Sequence, residues 1–325
     1  MLHPRILLVL AFLAAPVSVP IPVAAGAAET ALVSLTWETH ASMPTARYSA
    51  GAAALNGKIY VVGGDNYSNT HLTILEEYTP LTNSWATRAE MPTGRWRLGL
   101  AAAPNGRLYA IGGHASGGYT GKVEEYDPAT NTWAARTDMP TPRDDFGIAL
   151  ASDGKIYVVG GHNTTGDLRT VEAYDPVTDT WATRSSMPTP RSRLGLAAAV
   201  NGKLYAIGGH SLQQVEEYDP VADTWASRAY MPTGRLALGV AATDTSPIYA
   251  VGGESGGSLA TVEAYNPLTN TWSTQTAMPT ARHDLSVVAL DDGRVYAIGG
   301  WSNGPVGTVE SAAVEEAAET LVVPF

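Results

Sequence analysis

Side chains that could bind or transform a ligand recur at two positions along this chain. One position directly follows a Gly-Gly pair, and the other follows an arginine that stands four residues beyond the methionine of a Met-Pro pair. The residues after Gly-Gly are Asp65, His114, His162, His210, Glu254 and Trp301. The one or two residues after the arginine are Tyr48, Trp96, Arg97, Asp144, Asp145, Ser192, Arg193, Leu236, His283 and Asp284. Aromatic rings beside carboxylates, guanidinium groups and imidazoles suit a polar ligand with apolar faces, such as a sugar or a peptide.

We predict that ten of these side chains contact a ligand. They are Trp96, Arg97, His114, Asp145, His162, Arg193, His210, Glu254, His283 and Trp301. No catalytic, cofactor-binding or metal-binding residue is predicted among them. The alternative interpretation is that the residues at these positions vary only because they are exposed.

Other recurring charged residues are too regular to be a catalytic site. The repeat arginines are Arg47, Arg95, Arg143, Arg191, Arg235 and Arg282, and each repeat also has a glutamate, at Glu76, Glu124, Glu172, Glu216, Glu263 and Glu310. A residue present once in every copy usually has the same packing or hydrogen-bonding role in each, which predicts internal ion pairs or backbone caps. The recurring Gly-Gly lacks the strand-glycine-helix context of a phosphate-binding loop.

Composition excludes several functional classes. The chain has no cysteine, which rules out disulfide bonds, thiolate metal sites and thiol nucleophiles. Its net charge of -11, from 20 basic and 31 acidic side chains, offers no attraction to phosphate backbones or anionic lipid. We therefore expect no nucleic-acid partner.

The elements that position these residues follow a clear period. Met-Pro pairs start at residues 43, 91, 139, 187, 231 and 278, and each is followed by a Gly-Gly pair after a short β-rich run. Within one unit, residues 98–103 predict a strand of small side chains, and Asn105-Gly106 predicts a hairpin turn into the next strand. Val123 to Tyr126 predict a third strand, and an Asp-Pro-x-Thr turn leads to a fourth strand opened by Trp133. Units of this length predict the blades of an all-β, six-bladed β-propeller with four antiparallel strands in each blade.

The two ends of the repeat region predict how the ring closes. The last unit lacks the tyrosine, the Asp-Pro turn and the tryptophan of a fourth strand. Trp37 stands six residues before Met43, which is the spacing that the other strand-four tryptophans have from the next Met-Pro. We expect residues 35–40 to complete the sixth blade and leave no free sheet edge.

Alternating loops in a four-stranded meander predict two unlike faces. The turns after strands one and three are nearly uniform Asn-Gly and Asp-Pro-x-Thr turns. The loops after Gly-Gly run for 11, 10, 10, 6, 9 and 9 residues before the glutamate. Variation concentrates where binding occurs, so we expect the ligand on the face that carries these loops, with the rim lowered at residues 210–215.

The order Gly-Gly, Glu-x-Tyr, Asp-Pro-x-Thr, Trp and Met-Pro resembles the kelch repeat over residues 37–312. The resemblance implies a propeller, and in kelch propellers that bind peptides, contacts commonly come from the same two positions. The family also includes galactose oxidase, whose cofactor needs a tyrosine cross-linked to a cysteine, and this chain has no cysteine. A bacterial sialic acid mutarotase belongs to it as well. For such a role, Glu254 or His283 would be the acid or base, and Arg97 or Arg193 would hold the substrate carboxylate.

Three functional hypotheses remain open on these observations. The first, which requires the fewest assumptions, is a non-enzymatic scaffold that binds a protein or glycan. The second is a carbohydrate-modifying enzyme similar to the mutarotase, and the third is a spacer in a larger assembly. His114, His162 and His210 could together hold a metal, but side chains on successive blades diverge, so we expect no metal and no cofactor.

The N-terminal residues predict export. Arg5 is a basic start, residues 6–15 are an apolar run too short to span a bilayer, and Ala25-Gly26-Ala27 is a small-residue cleavage motif. We therefore predict a signal peptide at 1–27, the propeller at 28–312 and a tail or an added edge strand at 313–325. The mature protein is expected to be secreted or periplasmic, monomeric and without a membrane span.

Overall fold

The computed structural model describes residues 34–67, 71–243 and 247–315. In these residues the regular structure is almost entirely β, with one short 3-10 helix at Pro80–Thr82. Six sheets have four antiparallel strands each, and these are the blades. No helix in the described ranges is long and apolar enough to cross a membrane.

The strands follow the chain in order around the ring. The first, β1 (Ser34–Thr39), belongs to the last blade. Blade 1 contains β2 (Gly51–Leu55), β3 (Lys58–Val62), β4 (Leu75–Thr79) and β5 (Ser84–Arg88). Blade 2 contains β7 (Gly99–Ala103), β8 (Arg107–Ile111), β11 (Val123–Asp127) and β12 (Thr132–Arg136), with a small separate sheet of β6 (Arg95–Trp96), β9 (His114–Ala115) and β10 (Gly118–Tyr119). Blade 3 contains β13 (Gly147–Leu150), β14 (Ile156–Val159), β17 (Val171–Asp175) and β18 (Thr180–Arg184), with a small hairpin of β15 (His162–Asn163) and β16 (Gly166–Asp167).

The remaining three blades repeat the meander. Blade 4 contains β19 (Gly195–Ala198), β20 (Leu204–Ile207), β21 (Val215–Asp219) and β22 (Thr224–Ser227). Blade 5 contains β23 (Gly239–Ala242), β24 (Ile248–Val251), β25 (Val262–Asn266) and β26 (Thr271–Thr274). Blade 6 contains β27 (Ser286–Ala289), β28 (Val295–Ile298) and β29 (Val309–Glu315), and β1 is its fourth strand.

The N-terminal strand closes the ring, as the spacing of Trp37 predicts. The strand β1 pairs antiparallel with β29 along its whole length, with Trp37 opposite Ala312. The indole Nε1 of Trp37 donates to the carbonyl of Thr276 at 3.0 Å, and Trp85 makes the equivalent bond to Ala41 at 2.8 Å. The innermost strands of successive blades are neighbours, and that of blade 6 lies beside that of blade 1. The six blades therefore form a closed propeller around a central channel.

The hydrophobic core lies between neighbouring blades. One cluster packs Tyr60, Val62 and Leu75 of blade 1 against Leu108 and Tyr126 of blade 2, and five similar clusters fill the other interfaces. All five named side chains are almost fully buried. Because each blade buries one face on each neighbour, removing one blade exposes two interfaces.

The recurring arginines and glutamates are buried ion pairs, which confirms their predicted structural role. Each repeat arginine is fully buried and lies 2.6 to 3.1 Å from the glutamate of the third strand in its blade. A threonine two residues before each arginine donates to the other glutamate oxygen at 2.7 to 2.9 Å. The arginines and glutamates are therefore not available to a ligand.

The Gly-Gly pairs connect each blade to the next. The second glycine donates its N–H to the carbonyl of the next blade's repeat arginine, for example Gly64 to Arg95 at 3.0 Å and Gly300 to Arg47 at 2.9 Å. A Cβ on Gly63 would lie 2.5 Å from the Arg95 carbonyl oxygen, and Gly63 has a φ of +66°. Both facts require glycine. The pairs are packing elements, in agreement with the exclusion of a phosphate loop.

Two predicted segments lie wholly or mostly outside the described residues. The predicted signal peptide at 1–27 is one, and residues 316–325 of the predicted tail are the other. Residues 313–315 belong to β29, so the third strand of blade 6 runs past the predicted boundary at 312.

Candidate ligand-binding site

A closed ring of backbone hydrogen bonds surrounds one end of the central channel. Its members are the second residues after the repeat arginines: Ser49, Arg97, Asp145, Arg193, Ala237 and Asp284. Each N–H donates to the carbonyl of the equivalent residue in the preceding blade, at 2.7 to 3.3 Å, and Ser49 closes the circle by donating to Asp284. All six have a φ between +51° and +55°, a left-handed conformation that is uncommon outside glycine. The convergence of six blades holds this backbone, and strained backbone of this kind is frequent at functional sites.

The side chains of this ring line a cavity of about 130 Å³ that opens to solvent. We call this end of the channel the charged mouth, defined by the six ring residues. Below them the wall consists of Leu98, Phe146, Leu194, Leu238 and Leu285. The cavity is therefore polar where it meets solvent and apolar toward the channel.

Arg193 reaches across the charged mouth. Its Nη2 lies 3.0 Å from Asp284 Oδ2, two blades away, and its Nε lies 3.8 Å from Asp145 Oδ2. Its Nη1 is also 3.9 Å from Glu254 Oε2. One guanidinium group thus lies among three carboxylates from three other blades.

Arg97, two blades away from Arg193, is held in a similar way. Its guanidinium carbon lies 4.0 Å from the centre of the Trp96 ring, a cation–π geometry. Its Nη1 lies 3.2 Å from Asp145 and 3.7 Å from Asp144. Asp145 is therefore shared between Arg97 and Arg193.

Burial has a strong effect on Asp145. Its side chain is 11% exposed, and desolvation outweighs the attraction of Arg97 and Arg193, so the pKa of Asp145 rises to about 7. The nearby carboxylates Asp144 and Asp284 raise it further. Desolvation also raises the pKa of Asp144. A carboxyl group that titrates near neutral pH in an open cavity is a functional-site candidate.

An aromatic arc surrounds about half of the charged mouth. It consists of Trp301, Tyr67, Tyr48, Trp96, His71, His114, Tyr119 and His162. Neighbouring ring centres are 5.1 to 6.3 Å apart, and the arc runs from blade 6 through blades 1 and 2 to blade 3. The Nε1 of Trp96 is buried and has no hydrogen-bond partner in the described part of the chain. The arc offers flat aromatic surface beside the charged mouth.

Backbone pairing explains why the two recurring sequence positions come together. In five blades the residue after the arginine forms a β-bridge with the residue after Gly-Gly, as Trp96 does with His114 and His283 with Trp301. Blade 4 is the exception among the described residues. There the Gly209 carbonyl accepts a hydrogen bond from the N–H of Leu212, three residues later in the chain. In blade 3 the equivalent carbonyl, of Gly161, accepts a hydrogen bond from the N–H of Leu168, seven residues later. The short loop at 210–215 therefore turns back after three residues and forms no hairpin like that of blade 3; that the rim is lower at blade 4 stays a prediction.

Two of the three histidines that follow Gly-Gly share one carboxylate. His162 Nδ1 and His210 Nδ1 each lie 2.9 Å from a different oxygen of Asp167. His283 Nδ1 lies 2.9 Å from Ser258 Oγ. The described residues contain no group of three or more His, Cys, Asp or Glu placed to hold a metal ion.

The other end of the channel differs in chemistry. It is a cavity of about 410 Å³ lined mainly by alanines of the inner strands, such as Ala53, Ala101 and Ala197, and by larger aliphatic side chains. This alanine-lined mouth has no charged lining residue among those described. Of the two channel mouths, the one with charged lining residues and the aromatic arc lies on the face with the variable loops.

The ten predicted ligand contacts do not share one level. Arg97, Asp145 and Arg193 line the axial cavity. Six others, Trp96, His114, His162, Glu254, His283 and Trp301, lie farther from the axis, in the β-bridged pairs. His210 is the most exposed, at 68% of its side chain, and turns toward Asp167. Ligand contact by the ten residues stays a prediction.

Several residues of this face were not in the predicted set. Asp284 and Ser49 belong to the backbone ring, while Tyr119, Asp167 and Ser258 lie on the returning strands of the loops after Gly-Gly. The Gly-Gly at 117–118 and the Thr-Gly at 165–166 are hairpin signals that would have placed Tyr119 and Asp167 opposite His114 and His162.

Comparisons with known proteins agree with this architecture. The family model described as the KLHDC2/KLHL20/DRC7 Kelch-repeats domain matches residues 29–209 and 138–300. A search of curated proteins finds no match. Among solved structures, the one titled "Structure of YjhT" superposes with a TM-score of 0.70 at 18% identity, covering 86% of this chain and 97% of that chain, which shows a shared fold. The chain belongs to the kelch-repeat family of β-propellers.

Proposed function

We propose that this protein is a non-enzymatic binding scaffold that holds a protein or glycan at the charged mouth. The observation that carries the proposal is the contrast between the two ends of the channel: one is polar with an aromatic arc, and the other is lined by alanine. Kelch domains generally mediate protein binding, which favours a protein ligand. Aromatic faces beside fixed charges also suit a sugar ring.

The arrangement of charges supports binding rather than turnover. Arg97, Arg193, Asp145 and Asp284 are ion-paired to one another. Such a network fixes the orientation of a ligand, because each hydrogen-bonding group has a defined direction. It leaves few groups free to exchange protons with a substrate.

One observation favours the enzymatic alternative, a carbohydrate-modifying activity similar to that of a mutarotase. Asp145, with a pKa near 7, has the property of a general acid or base. It differs from the expected candidates, since His283 is bonded to Ser258 and Glu254 lies beside Arg193. If the chain turns over a sugar, NMR spectra of the sugar will show accelerated interconversion of its anomers, and Asp145→Asn will abolish the acceleration.

The binding proposal is tested by comparing variants of the two faces. A glycan array and a phage-displayed random peptide library are screened with the purified chain, and each hit is titrated by calorimetry. Trp96→Ala, Arg193→Ala and Trp301→Ala should each weaken binding, by about thirtyfold if the residue is a central anchor. Lys58→Ala and Arg107→Ala, on the alanine-lined face, are the controls and should leave affinity unchanged. Equal losses on both faces would contradict the site.

The proposal includes export. Residues 1–27 have the pattern of a signal peptide, so the ligand would be met outside the cytoplasm. N-terminal sequencing of protein recovered from the medium or periplasm should begin near residue 28, and recovery of the full-length chain only from cytoplasm would contradict it.

A further inference from the structure

The charged mouth and its surroundings contain more carboxylates than cations. At the two recurring positions there are five carboxylates, Asp65, Asp144, Asp145, Glu254 and Asp284, and only Arg97 and Arg193 are permanently cationic. The whole chain has a net charge of -11 and a pI near 5.0. The ring itself holds two arginines and two aspartates, so an approaching ligand meets the negative excess at the surrounding Asp65, Asp144 and Glu254 and over the molecule as a whole.

The two arginines show what kind of group this surface stabilises. Arg97 lies over the Trp96 ring and between Asp144 and Asp145. Arg193 lies among Asp145, Glu254 and Asp284. In both cases a guanidinium is surrounded by carboxylates contributed by other blades, and in one case an aromatic face covers it.

Acceptor capacity remains after these contacts. Asp144 is 1% exposed, so its Oδ1, which has no hydrogen-bond partner among the described residues, adds charge beneath the surface and is not an accessible acceptor. The side chain of Glu254 is 38% exposed, and its contact with Arg193 is long, at 3.9 Å. On the next blade Trp301 is partly exposed and packs against Tyr48 and Tyr67. Acceptors and aromatic faces of this kind match an ammonium or guanidinium group.

We propose that the charged mouth recognises a basic side chain, a lysine or an arginine, on a protein partner. The inference rests on the proposed binding function and specifies its chemistry. It disfavours a sugar acid, because a ligand carboxylate would enter beside five protein carboxylates, and like-charge contacts at an interface are costly. The shorter loop of blade 4, at residues 210–215, is where the partner's backbone would leave the mouth.

Defined peptides of one length test the proposal. Three fluorescent peptides share a Gly-Ser-Tyr framework and differ only in carrying two lysines, two glutamines or two glutamates at the same positions. Fluorescence anisotropy at pH 8 should show the lysine peptide binding at least about tenfold more tightly than the glutamate peptide, with an advantage that shrinks at high salt.

Matched variants locate the effect. Glu254→Gln removes a partly exposed carboxylate whose one ion-pair contact among the described residues, with Arg193, is long. The variant should therefore fold normally and bind the lysine peptide about threefold more weakly. Asp284→Asn should also weaken this binding. Asp175→Asn, a partly exposed carboxylate on the alanine-lined face, is the control and should have no effect. Thermal unfolding confirms that each variant is folded.

Each result separates this inference from the proposed function. Preference for the glutamate or glutamine peptide, or for sialic acid, together with loss of that binding in Trp96→Ala, would overturn the basic-side-chain inference and leave the binding site in place. If none of Glu254→Gln, Asp284→Asn and Trp96→Ala changes peptide binding, or if Asp175→Asn weakens it equally, both the inference and the proposed binding site would be overturned.

Discussion

Replacing Glu124 with glutamine tests whether the recurring ion pairs hold the blades together. Arg95 is fully buried, and its Nη1 lies 2.8 Å from Glu124 Oε2. Thr93 Oγ1 donates to Glu124 Oε1 at 2.8 Å, and Arg95 Nη2 donates to the Ala110 carbonyl at 2.8 Å. Burial lowers the pKa of Arg95, and Glu124 opposes that shift. The carboxylate is thus the only negative charge in direct contact with this guanidinium among the described residues.

The expected loss of stability follows from the charge that remains. Glu124→Gln preserves the shape of the side chain and leaves a buried guanidinium without a counter-charge, which costs about 3 to 5 kcal/mol. That is a large fraction of the roughly 5 to 15 kcal/mol by which folded proteins are stable. The double variant Arg95→Met/Glu124→Leu removes both charges and should recover much of the loss.

The measurement is guanidinium denaturation followed by tryptophan fluorescence. Glu125→Gln is the matched control, because Glu125 is the next residue of the same strand and pairs with Arg136, whose side chain is 35% exposed. Glu125 is itself buried, but water can solvate Arg136 and the other arginine that contacts it, Arg107, which is 37% exposed, so this variant should cost less than Glu124→Gln. If Glu124→Gln is no more destabilising than Glu125→Gln, the reasoning about buried charge is wrong. A double variant less stable than the single one would refute it as well.

Two further predictions concern the ring and the charged mouth. Deleting residues 28–40 removes β1 and exposes an edge of blade 6. The truncated chain should therefore melt at a lower temperature and form aggregates that size-exclusion chromatography detects. An unchanged melting temperature and elution volume would refute closure of the ring by β1. The raised pKa of Asp145 means that the folded protein binds its proton more tightly than the unfolded chain, so its contribution to stability is present below pH 4 and is lost as pH rises toward 7. The melting temperature of Asp145→Asn minus that of the wild type should therefore increase as the pH rises from 4 to 7. If this difference does not change with pH, the raised pKa is contradicted.

Local spacing in the sequence was sufficient to predict the architecture of this protein. The positions of Trp37, the Met-Pro pairs and the Gly-Gly pairs predicted six blades and their closure, because each landmark occupies the same environment in every blade. The regularity of Arg95, Glu124 and their equivalents likewise predicted buried ion pairs. The unequal loops after Gly-Gly predicted which face would vary and that the loop of blade 4 would differ from the others.

Only the tertiary structure showed how the variable side chains meet. The sequence could not separate Trp96 from Arg97, since both follow a repeat arginine; the left-handed backbone of the inner ring turns Arg97 toward the axis and leaves Trp96 in the arc. Arg193 and Asp284 are 91 residues apart, and their contact depends on the convergence of all six blades. The pKa of Asp145 depends on the same convergence, because burial raises it and the charges that act on it include Arg97, Arg193 and Asp284 of three other blades. Repeats specify contacts that recur in every blade, whereas contacts across the axis join unlike residues from distant repeats and follow no period.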